Sequence, residues 1–210
     1  MGNPFFTLDP LQAHTLYALA WLSFGAGHSV LAGAWAKDRL DELLGAYYRL
    51  TYNLFAGVHI ALVWAFGGAV LGGVPSFPLE AGVETTLAGI SVLGWVVLIL
   101  ALREYDLGRF SGLDQIRARR RGDPPTEGEP LVTGGLHRFV RHPLYLGAYM
   151  ILWGGATGEF GLATAAWGSL YLYLGARFEE RALVSVYGEA YRDYQGRVPA
   201  VIPWKGRSPV

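Results

Sequence analysis

Two arginines and two histidines stand directly before an apolar stretch in the segment LHRFVRHPLYLG, residues 136–147. Pro143 favours the first position of a helix, which places Arg141 and His142 at the N-terminal end of that helix. Unpaired backbone amides and the positive end of the helix dipole meet there, and the two side chains add positive charge. This combination predicts a binding site for a carboxylate.

A pair of acids, Glu179 and Glu180, follows the last apolar stretch of the chain. The apolar stretches on either side of Gly158 predict a helical hairpin, in which the start of one helix lies beside the end of the next. We therefore expect the two acids close to Arg141 and His142. The spacing leaves two interpretations open: an ion pair that orders the hairpin, or acids that bind an ammonium or hydroxyl groups of a ligand.

The elements that position these side chains are predicted to be membrane helices in an all-α fold. Of the 210 residues, 52% are hydrophobic, and the mean hydropathy is positive. A bilayer core about 30 Å thick needs about 17 to 25 helical residues. Five apolar stretches are predicted to span it, and the last two are short enough to require a thinned or tilted bilayer. They cover residues 13–36, 47–74, 85–102, 143–158 and 160–176.

The positive charges predict the orientation of these five spans. Sixteen of the 17 lysines and arginines lie between the first and second spans, between the third and fourth, or after the fifth, and Arg49 lies in the first turn of the second span. Such residues are retained on the cytoplasmic side of short loops. We therefore expect an inner-membrane protein with the N-terminus outside, the C-terminus inside and a site that faces the cytoplasm. The opposite side carries acids: Asp9, Glu80, Glu84 and Glu159.

The chain is expected to form a single membrane domain, with its chemistry in the cytoplasmic parts. Its predicted sections are three N-terminal spans at 1–102, a cytoplasmic loop at 103–142, the helical hairpin at 143–178 and a cytoplasmic tail at 179–210.

Local patterns predict helices in both cytoplasmic parts. Apolar and charged residues alternate at helical spacing over 104–122, and three prolines in 123–130 then break any helix. In the tail, an apolar stripe recurs at spacings of 4, 4 and 3, which is typical of an amphipathic helix. We expect the loop and this helix to form a cofactor pocket. The stripe consists of Leu183, Tyr187, Tyr191 and Tyr194.

Other classes of site are disfavoured by composition. The chain has no cysteine, which excludes disulfides, thiolate metal sites and a cysteine nucleophile, and we expect no metal site. The basic cluster RARRR at 117–121 favours juxtamembrane anchoring over nucleic-acid binding, because the formal net charge is zero. The N-terminus lacks a positive segment, so the first apolar stretch is expected to be a span and not a cleaved signal.

The C-terminal pattern resembles the integral-membrane methyltransferases that include isoprenylcysteine carboxyl methyltransferase and bacterial phospholipid N-methyltransferases. Its order over residues 131–203 is a glycine turn, an Arg-His-Pro-x-Tyr-x-Gly segment, a hairpin, a Glu-Glu pair and a Gly-x-x-Tyr-x-x-Tyr helix. His137 departs from the family, which commonly has tyrosine there. In the front half, FGAGHSVLAG (24–33) and GLDQIRA (112–118) are similar to NnrU-type membrane proteins and bacterial methanethiol S-methyltransferases.

This resemblance implies S-adenosylmethionine as the cofactor, bound on the cytoplasmic side. Arg141 and His142 would meet the cofactor carboxylate, and Glu179 or Glu180 would meet the ammonium or the ribose hydroxyls. The backbone of 132–137 would approach the adenosine. The residues implied in cofactor binding are Val132, Gly135, Leu136, His137, Arg141, His142, Tyr145, Leu146, Glu179 and Glu180.

The resemblance also implies methyl transfer to a small or lipophilic acceptor, for which a thiol is our first expectation. A cation such as Arg141 near a thiol favours the reactive thiolate. A carboxylate or a lipid amine stays open as acceptor, and an amine would need Glu180 to take its proton. His28, in the first span, either reaches the acceptor from the membrane side or hydrogen-bonds a neighbouring helix. For His59 we favour packing. The catalytic candidates are Arg141, Glu180 and His28.

Two other functions share part of these features. An NADPH-dependent membrane reductase would share a related Arg-His-Pro-like segment, although such proteins usually have asparagine where this chain has Leu144. A non-catalytic NnrU-type accessory protein would bind a partner or a small ligand. The cofactor that binds separates the three functions. The sequence predicts neither the acceptor nor the oligomeric state.

Overall fold

The computed structural model describes residues 8–74, 77–123 and 130–205, and the regular structure in these residues is entirely helical. Short 3₁₀ helices lie at Gly45–Tyr47 and Gly135–Arg138. The α-helices of the described chain are α1 Pro10–Ala32, α2 Ala34–Leu44, α3 Tyr48–Leu71, α4 Ala81–Leu102, α5 Leu107–Ser111, α6 Leu113–Arg121, α7 Pro143–Gly154, α8 Glu159–Tyr187 and α9 Glu189–Arg197.

The helices group into two compact units. The first unit contains the described residues of 1–76 and 106–127, and so holds α1, α2, α3, α5 and α6. The second unit contains those of 77–105 and 128–210, and so holds α4 and α7 to α9. The predicted cytoplasmic loop is therefore divided between the units, and the residues predicted to bind a cofactor all lie in the second.

In the first unit, α1 packs against α3. A capping box starts α1, because the Gln12 amide donates to the Asp9 carboxylate at 2.9 Å and the Asp9 amide donates to the Gln12 side chain at 3.2 Å. The helix ends at Ala32, and α2 begins after Gly33, so the predicted first span crosses a break. The buried face of α1 consists of Ala13, Tyr17, Trp21 and Phe24.

The helical spacing in the loop is confirmed, but it forms two helices that join at Gly112. This residue has φ +94, and a Cβ on it would lie 2.7 Å from the backbone nitrogen of Leu50. Glycine is therefore required for the close approach to α3. The side-chain amide of Asn53 and Nε of Arg49 both donate to the carbonyl of Phe110, at 3.0 and 3.2 Å. The predicted break by prolines lies mostly at 124–129, outside the described residues.

In the second unit, α4 and α7 approach each other through glycines. A Cβ on Gly94 would lie 2.8 Å from the backbone nitrogen of Ile151, and one on Gly147 would lie 2.8 Å from that of Leu98. Small residues allow helix backbones to approach in this way in membrane proteins. This packing positions the start of α7, where Pro143 occupies the first helical turn as predicted.

Two helical segments, Ala34–Leu71 and Ala81–Leu102, are long and apolar enough to cross a bilayer. Only 17% and 11% of their most apolar windows are buried within the protein, so most of these side chains face outwards. Large outward apolar surfaces of this kind are typical of lipid contact. They give the chain the character of a membrane protein, as predicted.

The predicted hairpin is confirmed as α7 and α8. It is tied by Ser169, whose hydroxyl accepts from the Trp153 indole at 3.0 Å and whose carbonyl accepts from the Tyr149 hydroxyl at 3.1 Å. The first helix of the hairpin is shorter than predicted, because α7 ends at Gly154 after 12 residues. Twelve residues reach about 18 Å, well short of the bilayer core of about 30 Å.

The tail differs from the single amphipathic helix predicted for it. No glycine or proline stands between Gly175 and Gly188, so α8 continues past the acids to Tyr187. Gly188 has φ +58 and ends the helix, and α9 follows. The predicted stripe nevertheless forms one apolar cluster, in which Tyr191, Tyr194 and Val198 are buried against Leu131, Leu183, Val184 and Tyr187.

Candidate functional site

The polar centre of the second unit is the ion pair between Arg141 and Glu180. Arg141 Nε and Nη2 donate to Glu180 Oε1 at 2.7 and 2.5 Å. His142 Nε2 lies 3.1 Å from the same oxygen. The side chains of Arg141 and Glu180 are only 10% and 16% exposed. The predicted proximity of the basic residues and the acids is therefore present, with Glu180 as the partner.

Arg141 also binds the backbone of the tail. Its Nη1 donates to the carbonyls of Gln195, at 3.2 Å, and Val198. The Arg141 amide itself donates to the Pro199 carbonyl at 2.9 Å, and the His142 amide donates to Ala200 at 2.9 Å. Backbone and side-chain hydrogen bonds therefore hold the segment before α7 against the end of α9 and the residues that follow it.

These contacts hold Glu180 in its ionised form. Burial by itself raises the pKa of a carboxyl group, but the hydrogen bonds from His142 and Arg141 and the charge of Arg141 outweigh it and lower the Glu180 pKa to about 2. The sequence predicts Arg141 as a direct ligand of a cofactor carboxylate. In the structure four of its five N–H groups donate to Glu180 and to two backbone carbonyls. This arrangement suits a residue that positions Glu180.

The second acid, Glu179, lies on the other side of His142 and is more open. The Tyr145 hydroxyl donates to Glu179 Oε2 at 2.8 Å, and His142 Nδ1 lies 3.7 Å from the same oxygen. The Tyr145 ring stacks on His142, with centroids 5.1 Å apart and planes 13° apart. The Glu179 side chain is 44% exposed. His142 thus separates an enclosed carboxylate from an accessible one.

A third part of the site is the glycine turn before Arg141. Gly135 has φ +52, and a Cβ on it would lie 2.1 Å from Glu104 Oε1. That oxygen accepts from the Leu136 amide at 2.7 Å, and the other oxygen lies 2.9 Å from His137 Nδ1. The glycine turn of the family pattern is present, and Glu104 is the group that approaches its backbone.

Two tyrosines complete the support of this turn. The Tyr194 hydroxyl donates to the carbonyl of His137 at 2.6 Å, and the Tyr105 hydroxyl lies 3.3 Å from His137 Nε2. Burial raises the pKa of Tyr194, and burial likewise raises the pKa of Tyr191 to about 12, so both remain neutral and Tyr194 remains a donor. His137 is therefore held at both ring nitrogens and at its carbonyl.

An open pocket lies between α8 and α9, beside the Arg141–Glu180 pair. Its volume is about 360 Å³, within the range of about 300 to 1,000 Å³ that is usual for ligand sites. Gln195 donates from Nε2 to Glu180 Oε2 at 3.2 Å across it. The pocket is lined by Arg177, Glu180, Arg181, Val184 and Gln195.

The structure thus brings together most of the residues predicted for the cofactor. Val132 is 46% exposed, and Leu146 is half-buried in α7, where its amide donates to the His142 carbonyl at 3.0 Å. Sequence reasoning missed Glu104, Tyr105 and Gln195. Glu104 carried one signal, since it is the first acid after the third apolar stretch.

His28 belongs to the first unit and has a different environment. Its Nε2 lies 2.6 Å from the Tyr52 hydroxyl, and its ring lies 5.6 Å from that of Phe24. His59, one helix away, lies 3.2 Å from the Ser23 hydroxyl through Nε2. Hydrogen bonding to a neighbouring helix, one of the two interpretations for His28, is therefore present.

The family model described as "Protein of unknown function (DUF1295)" matches residues 49–198, most of the chain. The chain belongs to this family. Relatives of this chain carry more specific names. Methanethiol S-methyltransferase 1 of Bradyrhizobium diazoefficiens is 30% identical over 202 residues, which cover 92% of this chain and 68% of that protein. Methanethiol S-methyltransferase of Mycobacterium tuberculosis is 31% identical over 191 residues, covering 88% and 75%.

A shorter match is to the group of enzymes that the C-terminal pattern resembles. Protein-S-isoprenylcysteine O-methyltransferase of Schizosaccharomyces pombe is 35% identical over 79 residues, covering 35% of this chain and 33% of that protein. No solved structure matches the chain. These relatives confirm the resemblance to the membrane methyltransferase superfamily. The chain is accordingly a methyltransferase, and its reaction requires a methyl donor and a methyl acceptor.

Proposed function

We propose that this protein transfers a methyl group from S-adenosylmethionine to a small or lipophilic thiol at the cytoplasmic face of the inner membrane. The observation that carries this proposal is the similarity, over about nine tenths of the chain, to enzymes named methanethiol S-methyltransferase. S-Methylation of a small thiol is therefore the first activity to test.

The second unit has the groups that this cofactor requires. S-Adenosylmethionine combines a carboxylate, an ammonium, a sulfonium and an adenosine. Glu180 offers an ionised acid in a mostly buried position, and the adjacent pocket contains arginines. At Gly135 the absence of a side chain leaves room for Glu104, which holds the turn that we expect to meet the adenosine. We assign cofactor binding to Glu180, Glu179 and Tyr145, to the turn with Val132, Leu136 and His137, and to Leu146 in α7.

In the reaction, the bound cofactor supplies an electrophilic methyl group on its sulfonium. The chain contributes position and environment. Arg141 and His142 hold Glu180 ionised and in a single orientation, while Glu104 and Tyr194 hold the turn. In-line displacement requires the acceptor within about 3 to 3.5 Å of the methyl carbon, so fixed geometry supplies much of the rate.

A thiol acceptor must lose its proton as the new carbon–sulfur bond forms. We assign His28 to the acceptor, because an imidazole is the side chain best suited to accept a proton near neutral pH. The Tyr52 hydroxyl, 2.6 Å from His28 Nε2, fixes the orientation of the ring. Arg141 acts on Glu180 and thereby on the cofactor.

For topology we propose five spans, with the N-terminus outside and the C-terminus inside. The placement of all 17 lysines and arginines in three segments supports this arrangement. The two apolar segments Ala34–Leu71 and Ala81–Leu102 supply the second and third spans. We expect α1 to supply the first, and the hairpin of α7 and α8 to supply the last two.

Carboxyl methylation is the second candidate function. The observation in its favour is the match to a protein-S-isoprenylcysteine O-methyltransferase, which covers 35% of this chain. A carboxylate acceptor is already ionised at neutral pH and needs no base. Loss of His28 would therefore leave carboxyl methylation intact, whereas S-methylation would decrease.

The test is calorimetric binding of S-adenosylhomocysteine to the detergent-purified protein, followed by turnover with thiol, carboxylate and lipid-amine acceptors. We expect micromolar binding, its loss in Arg141→Ala and Glu180→Ala, and thioether formation from a small thiol. Arg192→Ala is the matched control, since this exposed arginine of α9 pairs with Glu189. Binding of NADPH in place of S-adenosylhomocysteine, or of neither, would overturn the proposal.

A further inference from the structure

We infer that the pocket between α8 and α9 binds the amino-acid end of the cofactor, with Arg177 and Arg181 as ligands of its carboxylate and Glu180 as the ligand of its ammonium. This inference rests on the proposed function and assigns the carboxylate to a different pair of arginines from the one that the sequence predicts.

The first argument is that Arg141 is already engaged. Its N–H groups donate to the Glu180 carboxylate and to the carbonyls of Gln195 and Val198. These bonds leave one N–H, on Nη2, so a carboxylate bound at two points would displace one of them and leave a buried acceptor without a donor. A cation that makes no such hydrogen bonds can bind the ligand carboxylate without the loss of a contact.

Arg177 and Arg181 are such cations. They are four residues apart on α8, so both face the same side of the helix, and both line the pocket. Among the described residues, no carboxylate lies within ion-pair distance of either guanidinium. Arg181 is positioned by Phe178, whose ring centroid lies 5.7 Å from its Cζ. Two guanidinium groups one turn apart can bind one carboxylate together.

Glu180 supplies the opposite charge in the same pocket. Its Oε1 accepts from Arg141 and lies near His142, whereas within the described parts of the chain its Oε2 accepts from Gln195 alone, at 3.2 Å. A carboxylate oxygen can accept two hydrogen bonds, so Oε2 retains capacity for an ammonium. The low pKa of Glu180 keeps this acceptor ionised.

The combination identifies the class of ligand. Positive charge at two positions and negative charge at the position between them, Glu180, match a zwitterion, in which carboxylate and ammonium share one carbon. A lipid phosphate would meet the same arginines but would be repelled by Glu180. Val184 adds an apolar wall, which suits the methylene chain between an amino acid and a sulfonium.

The experiment compares two ligands that differ only in this end. S-Adenosylhomocysteine carries the amino acid, and 5′-methylthioadenosine is the corresponding thioether without it. Their affinities are measured by calorimetry for the wild-type protein, for Arg177→Ala/Arg181→Ala and for Arg192→Ala as control. We expect the double variant to lose at least about tenfold in affinity for S-adenosylhomocysteine and to bind 5′-methylthioadenosine as the wild type does. The retained binding of the second ligand also verifies the fold.

Three results would overturn the inference, and they are distinguishable. Equal affinity of the wild type and the double variant for S-adenosylhomocysteine would place its carboxylate elsewhere while leaving the proposed function intact. Loss of co-purified anionic phospholipid from the double variant, with unchanged S-adenosylhomocysteine affinity, would make the pocket a lipid site. Failure of the wild type to bind either nucleoside would reject the proposed function together with the inference.

Discussion

The two units hold their polar side chains in contrasting ways. In the second, full charges and backbone carbonyls converge on Arg141 and Glu180, and several donors share one carboxylate oxygen. In the first, His28 pairs with the hydroxyl of Tyr52, and His59 pairs with that of Ser23. A charged network fixes a charged ligand, whereas an imidazole beside a hydroxyl can accept or release a proton without a permanent charge. The charged network of the second unit therefore suits the proposed cofactor, and the imidazole–hydroxyl pairs of the first suit the transfer of a proton.

Removal of the central arginine is expected to have the largest effect. Arg141→Ala leaves Glu180 with His142 and Gln195 as its hydrogen-bond partners and removes the donor to the carbonyls of Gln195 and Val198. Loss of one partner of a buried pair costs about 3 to 5 kcal/mol. We expect S-adenosylhomocysteine affinity to fall at least about hundredfold and the melting temperature to decrease, by calorimetry and thermal unfolding. Unchanged affinity would place the cofactor away from this network.

The glycine turn gives the second largest effect. Gly135→Ala forces a side chain into a left-handed conformation, at a cost of about 1 to 2 kcal/mol, and brings its Cβ to 2.1 Å from Glu104 Oε1. We expect about a tenfold loss of S-adenosylhomocysteine affinity. Gly134→Ala is the matched control, because its φ is −86° and no atom lies within 4 Å of the added Cβ. Equal effects of the two variants would refute a specific role for the turn.

His28 sharpens the contrast between the units. His28→Gln should lower kcat/KM for a thiol by about tenfold, since general-base catalysis contributes about 10² to 10⁴ and solvent replaces part of it. The affinity for S-adenosylhomocysteine should stay unchanged. His59→Gln, in the same helix pair, serves as the control and should retain turnover. A loss of S-adenosylhomocysteine affinity in His28→Gln would contradict the proposal that His28 acts on the acceptor and not on the cofactor.

The smallest expected effect is on the pH dependence of stability. The pKa of Glu180 is lowered to about 2 in the folded protein, below its ordinary value of 4.5. The unfolded state therefore binds more protons between these values, and stability that is complete above about pH 4.5 decreases as the pH falls towards 2. Glu180→Gln should flatten this part of a melting-temperature profile. If the variant shows the same decrease in melting temperature at low pH, other carboxyl groups cause that decrease.

The sequence predicted the hairpin and the meeting of its basic and acidic ends, because two apolar stretches around Gly158 leave little choice of geometry. It also predicted the turn at Gly135. It could not predict the backbone acceptors of Arg141, since a carbonyl such as that of Val198, 57 residues away, has no residue-type signature. Glu104 was missed for a related reason, because its partners lie 32 and 33 residues further along the chain.

The tail shows how periodicity can mislead. The apolar stripe continues at helical spacing from Leu183 to Tyr194, and it predicted one helix. Gly188 interrupts that helix with φ +58, yet α9 returns its tyrosines to the same cluster. Tertiary packing therefore preserved the contacts while the local structure differed. The break also places Gln195 opposite Glu180, a contact that a continuous helix would not make.

The most direct test of the central claim is a turnover measurement with purified protein in lipid nanodiscs, S-adenosylmethionine and a small thiol. Thioether and S-adenosylhomocysteine are quantified together by mass spectrometry for the wild type, Glu180→Ala and Arg192→Ala. We predict equimolar products for the wild type and the control variant, and none for Glu180→Ala. Bound cofactor without methylation of any thiol, or full turnover in Glu180→Ala, would contradict the account.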